Sequence, residues 1–197
     1  MNRSTWIIST LAALALSACS GSSVPEQGRS AAPSATAAAM DAELEQLEAM
    51  IAPDACAWLT QDVLRAAYPD LSFEVKQALK PQISGYVWDS RCIYWAGVGT
   101  IEFAKEAPTH TVEIFVATSA SEAKAQARLA SRREGAQSTR GYQAQPALGA
   151  DAYSTSSNAI ASLFFTKGAS EVQINVSDLD TPNEQKVLRA VALAESL

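Results

Sequence analysis

Three kinds of patterning follow one another along the chain. An apolar run from Trp6 to Leu16, broken only by Ser9 and Thr10, comes after the positive charge of Arg3. From Ser20 to Ala39 serine, alanine, glycine and proline dominate and large apolar side chains are almost absent. Beyond Met40 the apolar positions become periodic. Met40, Leu44, Leu47 and Ile51 fall at spacings of four, three and four with Glu43, Glu45 and Glu48 on other faces, which predicts an amphipathic helix. Such a helix either docks a partner at the end of a tether or packs against its own domain.

The rest of the chain divides the same way. Asp54 is positioned to cap a helical stretch around Cys56, and Thr60-Gln61-Asp62 supplies an N-cap oxygen and a first-turn acid before Val63, Leu64 and Ala67, with Pro69 as a stop. Leu71, Phe73 and Val75 alternate with Ser72, Glu74 and Lys76, predicting a strand over 71–79. A turn at Asp89-Ser90 would pair Tyr86 to Trp88 with Arg91 to Trp95, and Val112 to Thr118 is a further strand. Ser119-Ala120-Ser121-Glu122 has capping-box spacing and opens a helix over 120–134 that Gly135 ends. Strands over 160–166 and 171–177 flank Lys167-Gly168 as a hairpin. Thr181-Pro182-Asn183-Glu184 then begins a closing helix whose Val187, Leu188, Val191 and Ala194 share a face. Strands grouped in runs between helices predict an α+β fold, an antiparallel sheet packed against helices in the order helix, strands, helix, strands, helix.

The opening run is about half of the roughly twenty residues that span a bilayer and has the charge, apolar and cleavage regions of a secretory signal. Leu16-Ser17-Ala18-Cys19 resembles the lipobox of bacterial lipoproteins. That resemblance implies cleavage before Cys19, acyl chains on its sulfur and new amino terminus, and anchorage to membrane lipid through them. Ser20 after the cysteine resembles the default signal for the outer membrane, facing the periplasm, in a Gram-negative cell. The resulting organisation is a signal peptide over 1–18, a lipidated tether over 19–39, an amphipathic helix over 40–53 and one α+β domain over 54–197. The twenty residues 20–39 would reach on the order of 25 Å as a flexible coil.

Composition narrows the chemistry. Lipidation of Cys19 leaves Cys56 and Cys92, an even pair in an oxidising compartment and hence one expected disulfide. Two cysteines and the one histidine, His110, do not supply a four-ligand zinc site, so neither metal nor cofactor is expected. Cleavage removes one arginine and no acid, taking the formal charge from −6 to −7, which disfavours a nucleic-acid partner.

Asp54, Cys56, Leu59 and Thr60, Cys92 with aromatics after it, Leu148-Gly149-Ala150-Asp151-Ala152 and the closing hairpin and helix carry a wider resemblance. Over residues 54–197 the layout resembles actinobacterial-type lipoproteins with a paired-cysteine domain of unknown function, similar in fold to PsbP-like proteins. The pattern differs at Ala55, usually proline, and at Trp95, one position late. It implies a fold and a compartment, not an activity.

No nucleophile–base motif surrounds His110, the glycines of Trp95-Ala96-Gly97-Val98-Gly99-Thr100 lack the lysine of a phosphate loop, and no carboxylate pair stands out by spacing. The chain is therefore read as a non-enzyme. Tyr86, Trp88, Tyr94 and Trp95 form either an aromatic binding platform or cross-strand packing beside the disulfide. Arg128 and Arg132, four apart, either engage an acidic partner or solvate a helix face. These residues frame the leading expectation, a binding module for an envelope protein or small ligand. The alternatives are an inhibitor or immunity lipoprotein against a secreted cell-wall hydrolase, and a hydrolase. Nothing in the pattern specifies an oligomeric state.

Overall fold

The computed structural model describes residues 35–97, 99–101, 104–178 and 180–197. The expected signal peptide, Cys19 and residues 19–34 of the expected tether lie outside the described residues. The first helix, α1, covers Ala35–Glu48. It therefore begins inside the stretch expected to be tether, because Ala35, Ala37, Ala38 and Ala39 are the strongest helix formers available. It also stops before Ile51, which is 97% exposed. Leu47 is fully buried and Glu43 meets Lys124 at 2.5 Å, so the C-terminal half of α1 packs on its own domain.

Two short helices follow, α2 over Ala55–Trp58 and α3 over Gln61–Ala67. Their caps are the expected ones: Asp54 accepts from the Cys56 N–H at 2.9 Å and Thr60 from the Val63 N–H at 3.4 Å. The chain then enters strands β1 (Glu74–Ser84) and β2 (Val87–Ala96), joined at Gly85-Tyr86 with Gly85 at φ +63°. This corrects the expected turn at Asp89-Ser90, which lies inside β2. A two-residue hairpin loop needs a positive φ, which glycine adopts without steric cost and Asp-Ser does not. A small hairpin, β3 (Gly99–Ile101) and β4 (Ala104–Ala107), precedes β5 (His110–Thr118).

Helix α4 spans Glu122–Ala136 and is capped by Ser121, whose hydroxyl accepts from the Lys124 N–H. Ser119, the expected cap, instead follows directly on the end of β5, its N–H donating to the Ala169 carbonyl at 2.9 Å. Strands β6 (Gln143–Ala144) and β7 (Tyr153–Ser156) follow. The expected hairpin is present as β8 (Ile160–Lys167) and β9 (Ser170–Asp178), with Gly168 at φ +57°. Helix α5, Asn183–Glu195, closes the fold. Thr181 does not cap it, because its hydroxyl is drawn to Asp178.

Seven of these strands form one antiparallel sheet in the order β1-β2-β5-β9-β8-β7-β6. The fold is thus α+β in the helix, strands, helix, strands, helix order. Alternation sends Cys92 and Tyr94, Ile114 and Val116, Ile174 and Val176, and Leu163 and Phe165 to one face, where Leu59, Leu64, Ala190 and Leu193 complete the core. Cys56 and Cys92 are joined as a disulfide, with Cα atoms 5.1 Å apart, tying α2 to the middle of β2.

Candidate functional site

The opposite face of the sheet has a different make-up. Arg91, Phe115, Gln173 and Phe164 lie side by side on β2, β5, β9 and β8, and the next row brings Ile93, Glu113, Asn175 and Ser162 into register. These are the positions between the core residues on the same strands. Helix α4 covers one end of this face: Arg132 Nη1 lies 2.6 Å from Glu171 Oε1 and Arg128 Nε 3.6 Å from Oε2, with Glu171 only 2% exposed. Neither contact is an aligned hydrogen bond, so charge attraction rather than directional bonding holds Glu171 under the helix.

Beyond α4 the face opens. Leu79, Arg91, Glu113, Phe115, Arg132 and Asn175 border a depression of about 440 Å³. Thr139, Arg140, Thr155, Ile160 and Ser162 border a second, of about 320 Å³. Asn175 at the rim of the first is the cross-strand partner of Ser162 at the rim of the second, so the two depressions are neighbours across the strands. They are bordered by the end of α4 and the loop after it, and together make up a polar groove.

A directional chain of side chains runs along its floor. Gln173 Nε2 donates to Asn175 Oδ1 at 2.9 Å, Asn175 Nδ2 donates to Glu113 Oε2 at 2.9 Å, and the other Glu113 oxygen pairs with Arg91. Each amide uses one N–H in this chain, so the second N–H groups and the Gln173 carbonyl have capacity for a ligand. Burial raises the Asp89 carboxyl above the ordinary range, against the lowering effect of the Ser84 hydrogen bond and of Arg128 and Arg132.

The candidate residues read from the sequence do not converge. Tyr94 is buried, its hydroxyl donating to the Leu59 carbonyl, and burial together with the charge of Asp54 pushes it up to about 12. Trp88 is half-buried, its indole N–H donating to the Leu47 carbonyl at 2.6 Å. Tyr86 sits exposed in the hairpin loop, and Trp95 lies on the groove face at the far end of β2 with Lys76 4.6 Å above its ring. With the loop at Gly85-Tyr86, alternation separates Trp88 and Tyr94 from Trp95, so no single aromatic platform forms. Arg128 and Arg132 face Glu171 of the same chain, with Arg132 also at the groove's rim. The groove residues Arg91, Glu113, Gln173 and Asn175 were missed. Their signal was the polar half of each alternating strand, which acquires meaning only once the register sets them side by side.

A second cluster surrounds Asp178, 2% exposed at the end of β9. His110 Nε2 is 3.2 Å from its Oδ2, Arg189 Nη1 is 3.0 Å away, and the Thr181 hydroxyl and Asp180 N–H donate to it. Arg189 also lies over the Tyr68 ring at 4.9 Å. Burial pulls the Asp178 carboxyl up, but Thr181, Asp180, His110 and Arg189 together outweigh it and hold its pKa below the ordinary range. His110 is thus part of a packed corner at the start of β5. The histidine's other ring nitrogen meets Thr109 Oγ1 at 2.9 Å, whose hydroxyl also reaches the Ala96 carbonyl. The Asp178 oxygens are engaged from within the chain, so this corner reads as a clamp joining α5 to the sheet. Among the described residues no group of three or more His, Cys, Asp or Glu is arranged to hold a metal.

No family model and no curated protein matches the chain. Among solved structures, it is similar to the crystal structure of the extracellular domain of PknH from Mycobacterium tuberculosis, at a TM-score of 0.52 and 11% identity, over 71% of this chain and 92% of that one. The likeness is one of fold. Among the described residues no helix is long and apolar enough to cross a membrane.

Proposed function

We propose that this chain is a lipid-anchored, extracytoplasmic binding module without enzymatic activity, and that the groove on the polar face of its sheet receives the ligand. The observation that carries the reading is the Gln173–Asn175–Glu113–Arg91 chain. Two layers need only one apolar sheet face, and the other is ordinarily covered with independent solvated side chains. Here those side chains fix one another's orientation, which leaves little ordering cost at the moment of binding. The lipobox-like Leu16-Ser17-Ala18-Cys19, the Cys56–Cys92 disulfide and a fold shared with an extracellular domain all support an envelope location. In this account Cys19 carries the acyl anchor, and the domain works beyond the membrane surface on an envelope component.

The test is affinity capture from detergent-solubilised envelopes using the full chain, a Cys19→Ala version and a Gln173→Ala/Asn175→Ala version. The first two should retain the same component, and the groove variant should lose most of it while melting within a few degrees of the parent. Equal retention by the groove variant would remove the groove from the account. Labelling with an alkyne palmitate analogue tests the anchor separately: incorporation should disappear with Cys19→Ala.

A further inference from the structure

The make-up of the groove specifies more than the existence of a ligand. From β1 to β7 it crosses six strands, about 24 Å at the usual strand spacing. Three arginines line it. Arg91 is paired with Glu113 and Arg132 with Glu171, leaving Arg140 without an ion pair among the described residues. The charges therefore largely cancel within the protein, and an ionic ligand finds no concentrated field to bind.

What the floor offers instead is closely spaced neutral hydrogen-bonding capacity around a half-buried aromatic ring. Gln173 and Asn175 supply amides, Ser162 and Thr155 supply hydroxyls in the same cross-strand rows, and Phe115 lies between Arg91 and Gln173. An extended peptide adding to the sheet would use the backbone of edge strand β1. That edge is interrupted by register shifts between Val75 and Gln77 and between Leu79 and Gln82, and it contains Pro81 and two lysines.

We infer that the groove takes a linear, uncharged oligosaccharide, with hydroxyl and acetamido groups bonded to the Gln173–Asn175–Ser162 line and a sugar ring's apolar face set against Phe115. A sugar chain combines the two properties this floor pairs, many neutral donors and acceptors and ring faces of C–H groups. The inference rests on the groove being the binding site.

The experiment is calorimetric titration of the full chain, in a zwitterionic detergent free of sugar headgroups, with triacetylchitotriose, cellotriose and trigalacturonate. At least one neutral trisaccharide should bind. Asn175→Ala and, separately, Ser162→Val should each weaken it about fivefold, the equivalent of one lost hydrogen bond. Ser162→Val places a strand-favouring residue in β8, so it reports binding even if Asn175→Ala disturbs folding. No binding by any probe at millimolar concentration overturns the inference, as does binding of trigalacturonate alone or binding indifferent to both substitutions. In each of those cases envelope capture that still depends on Gln173 and Asn175 would leave the groove standing as a binding site for something other than a neutral glycan.

Discussion

At the scale of single residues, the energetics concentrate on two buried carboxylates that the chain neutralises itself. Glu171 lies beneath α4 with Arg132 at 2.6 Å and Arg128 further off. Removing the nearer cation leaves a buried charge poorly compensated, so Arg132→Ala should cost about 2 kcal/mol, below the full value for a buried pair because Arg132 is partly solvated. Arg132→Ala combined with Glu171→Gln should recover much of that loss, and urea unfolding of both variants checks it. Asp178 makes a pH prediction. Its folded pKa lies below the ordinary carboxylate value, so it contributes stability above that value and loses the contribution as pH falls through the folded one. The urea midpoint should therefore decline from about pH 5 downward, and Asp178→Asn should be less stable at neutral pH with a shallower acid decline. An unchanged acid slope in that variant would assign the decline to other groups. Tyr68 and Tyr94 act at the opposite extreme. Burial pushes both up to about 12, so the stability each gains by staying neutral is present below an ordinary tyrosine pKa and lost above it.

At the scale of elements, the disulfide fastens the two-helix segment of α2 and α3 onto β2. Closing a loop across a separation of 36 residues corresponds to about 3 to 4 kcal/mol in the chain-entropy model. Cys56→Ser/Cys92→Ser should lower stability by up to that amount, and reduction of the parent should have the same effect in a urea titration. The same elements show which parts of the fold were legible in the sequence. Local chemistry sufficed where a cap or turn is made by neighbours: Asp54 and Thr60 cap as their spacing indicates, and the β8–β9 hairpin turns at Gly168. It failed where a distant contact wins. Thr181 has the pattern of a cap but its hydroxyl goes to Asp178, and the Ser119 N–H goes to the Ala169 carbonyl just past β5, leaving Ser121 as the cap. The β1–β2 turn depends on the positive φ of Gly85, whereas Asp89-Ser90 has only the composition of a turn and lies within β2. The groove was illegible for a different reason. Arg91, Glu113, Asn175 and Gln173 are separated by up to 84 positions in sequence, and only the strand order β2-β5-β9 brings them together.

At the scale of the whole molecule, the two faces of one sheet differ in make-up. One face carries the core with α2, α3 and α5, and the other is closed at one end by α4 and open over the rest. In the proposed reading stability and recognition are separated between these faces, so groove substitutions should change binding with little effect on folding. Core substitutions such as Ile174→Ala, at a fully buried position, should do the reverse at a cost of about 2 to 5 kcal/mol. The central claim, that the open polar face is where an envelope component binds, is tested most directly by hydrogen–deuterium exchange of the purified full chain with and without solubilised envelope fraction. Protection should appear in peptides covering 111–115, 160–164 and 173–177 and should vanish with Gln173→Ala/Asn175→Ala. Protection confined to the His110–Asp178–Arg189 corner or to the exposed turns of α1, with those peptides unchanged, would contradict it.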